Sequence, residues 1–233
     1  MSIQIFLLDD NTLFRKGLSA LLSLQPDMSV AGDAGAGREA EQMTARLDPD
    51  VLLMDLRLAG ISGLDIAAQI KRRQSQIKVV LLTASRSEEY VRAALRIGID
   101  GYVLKDASLE ELLIAIRSVV KGKKYLSPDV SGQVVESFLH PEKSNGKSSH
   151  LDVLTLRERG ILQLIAEGRT NRSAADFLCV SPKTVEKHRA SLMQKLGLRN
   201  ATEMTLVAIE MGLIERPISF ARFNHGNTPL AAP

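Results

Sequence analysis

The sequence predicts an open α/β domain followed by a small all-α domain. Three observations carry this reading: short apolar runs alternate with helical segments five times through residues 1–122, purely helical periodicity takes over after residue 151, and a polar tract lies between. At 233 residues the chain is comfortable for two domains. Its hydrophobic share is 45%, with no Trp, 6 Phe and 3 Tyr, which suits an aliphatic core.

The apolar runs fall at 3–8, 28–34, 51–54, 78–83 and 101–104. "VLLM" and "VVLL" do not alternate with polar residues, as expected of strands covered on both faces of a parallel sheet. Between them, "LFRKGLSALLSL" repeats its apolar residues at three and four. "SLEELLIAIRSVV" begins with Ser108 at an N-cap and Glu111 three later, a capping-box pattern. No apolar run approaches the roughly 20 residues that span a bilayer. The N-terminus has no basic region leading into a long apolar segment, so a cytoplasmic protein is expected. The single cysteine, Cys179, has no disulfide partner and no Cys or His at metal-ligand spacing, and reads as a small buried apolar residue.

In open α/β sheets the binding crevice lies beyond the carboxyl ends of the strands, at the switch point of strand order. Asp9 and Asp10 end the first strand here, Asp55 the third, Thr83 the fourth and Lys105 the fifth. With the common doubly wound order 2-1-3-4-5, the first and third strands are neighbours and three carboxylates meet beside a lysine. Such a cluster suits Mg²⁺, which binds one or two carboxylates and keeps several waters. Lys105 and the Thr83 hydroxyl would present donors to an incoming phosphoryl anion.

The blocks "DDNTLFRKGL", "LLMDLRLAGISGLD", "LLTAS" and "GYVLKDAS" resemble the receiver domain of bacterial two-component response regulators. The resemblance implies a CheY-like, flavodoxin-like fold with a five-stranded parallel sheet. It implies further that Asp55 is the phosphoacceptor for a sensor histidine kinase. Asp10 and Asp55 would ligate Mg²⁺ with the Arg57 backbone carbonyl, Asp9 acting nearby or through water. Lys105 would pair with the phosphoryl oxygens, Thr83 would hydrogen-bond one of them, and Tyr102 would turn inward as Thr83 moves. The surface around the fourth helix and fifth strand would then repack. One departure is Ala59, where the family commonly has Pro, leaving the loop after Asp55 without a fixed φ.

Positive charge is concentrated late in the chain. Residues 1–126 carry 17 Lys/Arg against 16 Asp/Glu, whereas residues 169–199 carry 7 against 2, a footprint of phosphate attraction. Helical segments are expected at 155–167, 171–178, 182–196 and 201–212, with a tight turn before Pro182 at a first helical position, so the second and third read as a helix-turn-helix. At 100° per residue Val185, Leu192 and Leu196 form the core face of the third helix, with Arg189 at its edge and His188 on the other side, either completing the core or touching the DNA backbone. Opposite lie Lys183, Lys187, Ala190 and Gln194, flanked by Thr184 and Glu186, a face that fits a major groove.

Residues 154–204, with "LIAEGRTN" and "SPKTVEKHR", resemble the LuxR-type helix-turn-helix of the NarL/FixJ subfamily. This implies a four-helix DNA-binding domain with 182–196 as recognition helix. Lys183, Thr184, Lys187 and Arg189 would lie near DNA, and Asn171, Arg172 and Lys195 on phosphates. Gly160 stands where the family usually has Glu, costing its helix about 1 kcal/mol relative to Ala, and Ala174 stands where it usually has Ile. The last helix, with Met204, Leu206, Val207, Ile209 and Met211, has apolar surface to spare for a homodimer on two DNA half-sites.

The expected organisation is a receiver at 1–122, a linker at 123–150, the DNA-binding domain at 151–214 and a disordered tail at 215–233. The function implied is a phosphorylation-switched transcription factor, not an enzyme, whose receiver covers the recognition helix until Asp55 is phosphorylated. Two alternatives remain open: a DNA-binding regulator with a phosphate-independent receiver, and a Mg²⁺-dependent phosphohydrolase. The second normally carries Asp-x-Asp at its first strand, where this chain has adjacent acids.

Overall fold

The structure, a computed structural model, describes residues 2–58, 61–139, 153–178, 180–211 and 213–214. The expectations for Cys179, Ala59, the tract 141–150 and the tail 215–233 concern residues outside that description.

The five apolar runs are strands: β1 (Ile3–Leu8), β2 (Met28–Ala34), β3 (Val51–Asp55), β6 (Lys78–Thr83) and β7 (Gly101–Leu104). Two short strands, β4 (Arg57–Leu58) and β5 (Ile61–Ser62), pair antiparallel as a hairpin after β3. The main sheet is parallel with the order β2-β1-β3-β6-β7, so the expected 2-1-3-4-5 arrangement is present. A sixth strand, β8 (Tyr125–Leu126), joins the edge of β7.

Helices cover both faces because the strands are apolar on both. α1 (Thr12–Ser23) and α5 (Leu109–Val120) pack on one face around Ile5, Leu7, Leu53, Val80 and Val103. α2 (Gly37–Leu47), α3 (Gly63–Arg73) and α4 (Glu88–Ile97) cover the other, over Phe6, Leu8, Leu52 and Leu81. Asn11 caps α1 by accepting from the Phe14 N–H at 3.0 Å. Ser108 caps α5 through the Glu111 N–H as expected, but the Glu111 carboxylate completes no capping box and accepts from the Ser127 hydroxyl instead.

Residues 123–139, expected as linker, belong to the fold: after β8, α6 (Pro128–Leu139) packs against α4. The Ser127 hydroxyl accepts from the Leu104 N–H at 3.1 Å, tying this extension to β7.

Among the described residues the C-terminal domain has four helices close to the expected positions: α7 (Leu156–Ala166), α8 (Asn171–Leu178), α9 (Pro182–Leu196) and α10 (Ala201–Glu210). Thr155 and Glu158 form a capping box at α7, and Ser181 caps α9 ahead of Pro182. Ile161, Leu162, Ile165, Ala174, Ala175, Leu178, Val185, Leu192, Met204 and Ala208 make the core. Ala174 is fully buried, so its short side chain is accommodated within that core.

Candidate functional site: the acidic pocket and the basic helix

β1 and β3 are neighbours, so their carboxyl ends deliver Asp9, Asp10 and Asp55 to one crevice. One oxygen from each lies within 4.8 Å of the others, Asp9 and Asp55 buried and Asp10 exposed. Lys105, beyond the end of β7, donates to Asp55 at 2.6 Å and to Asp9 at 2.8 Å. Three carboxylates beside one ammonium retain negative charge, and this hard-oxygen donor set with an exposed third acid fits a small divalent cation.

Burial pushes the Asp55 carboxyl above its ordinary value, with Asp9 adding to the effect, against the pull of Lys105 and the Arg57 N–H. Burial acts against the Lys105 charge, but its hydrogen bonds to Asp55 and Asp9 outweigh that and hold the ammonium's pKa up. The Arg57 N–H donates to Asp55 Oδ1 at 3.1 Å, which fixes the carboxylate rotamer and sets the Arg57 peptide at the pocket edge.

Thr83, fully buried, accepts from the Ser85 N–H at 3.1 Å. Tyr102, expected to turn inward on switching, already stands inward: it is fully buried and its hydroxyl donates to the Ser85 carbonyl at 2.8 Å. Burial pushes its phenol up, so it stays a donor. Two pocket residues escaped the sequence reading. The Phe14 ring lies 4.8 Å below the Lys105 ammonium, a cation–π contact. Arg15 donates to the Asp9 carbonyl and to Asp33, bracing the acidic turn. Their signal was present in "DDNTLFRK", on the helix that leaves the paired acids.

On α9 the outward residues Lys183, Glu186, Lys187, Ala190 and Gln194 are exposed, and Val185 and Leu192 are fully buried. His188 is half-buried. Of the expected phosphate and base contacts, Lys183, Lys187 and Arg172 are exposed. Thr184 is engaged with the Ser181 hydroxyl, and Arg189 donates to Asn171 at 3.2 Å. Lys195 is paired with Glu158 at 2.7 Å, so it serves first to anchor α9 to α7. Burial works to raise the Glu158 carboxyl, but Lys195, Ser191 and Thr155 outweigh it and hold the group down at about 2. Met204 on α10 and Met211, its C-cap, are fully buried core residues, whereas Leu206 on α10 is 56% exposed.

The helical domain meets α3 and the β4–β5 hairpin through α7, and among the described residues the Lys183 and Lys187 face of the recognition helix is exposed, not covered as expected. Arg159 donates to Asp65 on α3 at 3.1 Å, and Gln163 donates to the Leu58 carbonyl in β4 at 3.2 Å. Gly160, the departure noted in the sequence, is buried beside them. Gly63, which starts α3, lets this turn close: its N–H donates to the Leu56 carbonyl at 2.8 Å. A Cβ there would lie 2.4 Å from the Asp55 carbonyl oxygen.

Comparison with known proteins agrees with both halves. The family described as response regulator receiver domain matches residues 5–117, and that described as bacterial regulatory proteins, luxR family, matches residues 152–208. The oxygen regulatory protein NreC of Staphylococcus aureus (strain bovine RF122 / ET3-1) is 39% identical over 216 residues, 91% of this chain and all of that protein. The response regulator GacA of Pseudomonas aeruginosa is 33% identical over 213 residues, 91% of this chain and 98% of its own length. Among solved structures, a response regulator RcsB–DNA complex aligns with a TM-score of 0.55 at 26% identity, over 88% of this chain and 97% of that one. A receiver with an Mg²⁺-suited acidic pocket, a LuxR-type helical domain and relatives matched over nearly their whole length place the chain in the two-component response regulators of the NarL/FixJ subfamily.

Proposed function

We propose that this response regulator is switched by phosphorylation at Asp55 and acts as a cytoplasmic, sequence-specific transcription factor. The observation that carries the reading is the Asp9–Asp10–Asp55 cluster with Lys105 bonded to two of its members. An Asp55 oxygen attacks the phosphorus of a sensor kinase's phosphohistidine; the O–P bond forms as the P–N bond breaks and the imidazole leaves. Asp10, Asp55 and the Arg57 carbonyl would hold Mg²⁺, with Asp9 nearby or acting through water. When bound, that ion neutralises charge as one anion approaches another.

Lys105 needs only a small movement to follow the new phosphoryl oxygens, because its ammonium already lies 2.6 Å from Asp55. The Thr83 hydroxyl hydrogen-bonds one of them, and Tyr102 holds the inward position that accommodates Thr83. Asp55 is joined to α3 by the β4–β5 hairpin, and the Leu58 carbonyl and Asp65 hold Gln163 and Arg159 of α7. Charge added at Asp55 therefore acts first on the segment that grips α7, and release of α7 frees the helical domain to pair on DNA.

In the DNA complex Lys183, Thr184, Lys187 and Arg189 lie at the major groove and Asn171 and Arg172 on phosphates. Lys195 reaches a phosphate only by leaving Glu158. Homodimerisation through the Leu206 side of α10 matches two half-sites.

The test is the intact mass after incubation with acetyl phosphate and Mg²⁺. One added phosphoryl group, absent with EDTA and absent in Asp55→Asn, supports the assignment. A folded protein that gains none refutes acetyl phosphate-competent phosphorylation and favours the phosphate-independent regulator.

A further inference from the structure

α1 turns Phe14, Leu18 and Leu22 toward the sheet, one stripe spaced by four residues. Leu18 and Leu22 are buried among aliphatic neighbours, and a third leucine at 14 would complete the stripe. The chain carries phenylalanine there instead, and its ring has a partner that the leucines lack. The ring centroid lies 4.8 Å from the Lys105 ammonium. Phe14 is half-buried and the Lys105 side chain only 23% exposed, so little bulk water screens the contact.

Both sides of the contact are fixed. The Phe14 N–H donates to the cap Asn11 at 3.0 Å, and the next residue, Arg15, is tied to the Asp9 carbonyl and to Asp33. The Lys105 N–H donates to the Thr83 carbonyl at 2.9 Å, which anchors the base of the lysine. Its ammonium has three donors, of which Asp55 takes one at 2.6 Å and Asp9 another at 2.8 Å. The ring attracts the charge through its face and displaces neither carboxylate.

We propose that Phe14 is a positioning residue for phosphoryl transfer, holding the Lys105 ammonium in place while the Asp55 carboxylate is consumed. The proposal rests on the phosphorylation of Asp55 put forward above. At rest two carboxylates anchor the ammonium, and the ring adds little to them. As an Asp55 oxygen bonds to phosphorus, the bond from phosphorus to the donor breaks and the donor leaves with its electron pair. Negative charge then passes from the carboxylate to the phosphoryl oxygens, and the pull of Asp55 on the ammonium falls. An anchor that does not change during the reaction gains weight at that moment. The ring is such an anchor, being neutral, unreactive and seated on the first turn of the helix that leaves the acidic pair. It keeps the ammonium over the crevice where the phosphoryl oxygens arrive. A leucine would fill the stripe and offer the charge nothing.

The test compares Phe14→Leu and Phe14→Tyr in the full chain by two readouts. The first needs neither phosphodonor nor metal: the proton resonance of the Lys105 Cε methylene beside the ammonium, assigned by its loss in Lys105→Arg. A group over a ring face is shifted upfield, so the resonance should move downfield in Phe14→Leu and stay upfield in Phe14→Tyr. The second is the rate of mass gain with acetyl phosphate and Mg²⁺. Phe14→Leu should be slower by about threefold or more, and Phe14→Tyr should keep the parent rate. The same methylene shift in the parent and in Phe14→Leu overturns the contact, and the same rate overturns the role. Slowing as large in Phe14→Tyr as in Phe14→Leu also overturns it, since packing and not the charge of the ring face would then decide. A parent that shows the upfield resonance and gains no phosphoryl group defeats the phosphorylation reading, and with it the role of Phe14, while the contact stands.

Discussion

Replacing Arg159 by Ala measures how firmly the receiver holds α7. Asp65 is 4% exposed, and burial pushes its carboxyl up to about 6 although Arg159 pulls it down. With all of that burial supplied by docking, a carboxyl raised from 3.8 to about 6 costs the docked state at most about 3 kcal/mol when ionised. The sign follows: protonated Asp65 suits the docked state, so its contribution to docking is full below about 3.8 and is lost as pH rises through about 6. Without the guanidinium, the buried carboxyl at pH 7.5 can escape by binding a proton, at about 5 kcal/mol. Arg159 is therefore worth at most about 2 kcal/mol, or about 30-fold in the docking equilibrium.

Asp65→Asn removes the buried charge altogether and should hold the docked state as well as the parent, or better, at pH 7.5. Energy transfer between dyes on Ser23→Cys and Thr202→Cys, in a Cys179→Ser background, reports the separation of the two domains. Arg159→Ala should lower the transfer at pH 7.5, Asp65→Asn should not, and the parent should close further at pH 5.5. Opening by Asp65→Asn as large as that by Arg159→Ala would show that attraction outweighs desolvation, and the reasoning would fail.

Two further substitutions probe the framework. Gly63→Ala sets a methyl against the Asp55 and Leu56 carbonyls, so the receiver should lose about 2–3 kcal/mol in chemical denaturation and bind Mg²⁺ less tightly. Undiminished stability would mean that the turn relaxes freely. Glu158→Ala strips Lys195, Ser191 and the Thr155 N–H of their acceptor and should cost the helical domain about 2–3 kcal/mol. Because the Glu158 carboxyl is held at about 2, its contribution is present above about 4.5 and fades as pH falls toward 2. The variant's thermal midpoint should therefore vary less with pH than the parent's over that interval.

The pocket was legible because strand ends were legible. Continuous apolar runs have sharp boundaries, and Asp9, Asp55, Thr83 and Lys105 follow directly from where β1, β3, β6 and β7 stop. β8 was not, since "YL" after three basic residues in "KGKK" carries no strand pattern, and only the open edge of β7 makes it one. The contact of α7 with the receiver was illegible for a different reason. Arg159 and Gln163 meet partners 94 and 105 residues away, and a polar helix face reads the same whether it meets water or a buried carboxylate. The Lys195 pairing was hidden similarly, because a lysine late in a basic helix gives no sign of the Glu158 carboxylate waiting on another.

The two bonds that fasten α7 differ in what they demand of inherited variation. Gln163 grips a main-chain oxygen, so residue 58 can drift among apolar side chains without loosening that bond. Arg159 grips a side chain, and any replacement at 65 alters the charge balance it was fitted to. A recombinant joining this receiver to another regulator's helical domain would keep the first bond wherever a glutamine stands at 163, but would strand Asp65 unless an arginine came with it. Positions 65 and 159 are thus coupled through charge, while the side chain at 58 is free to vary beneath Gln163.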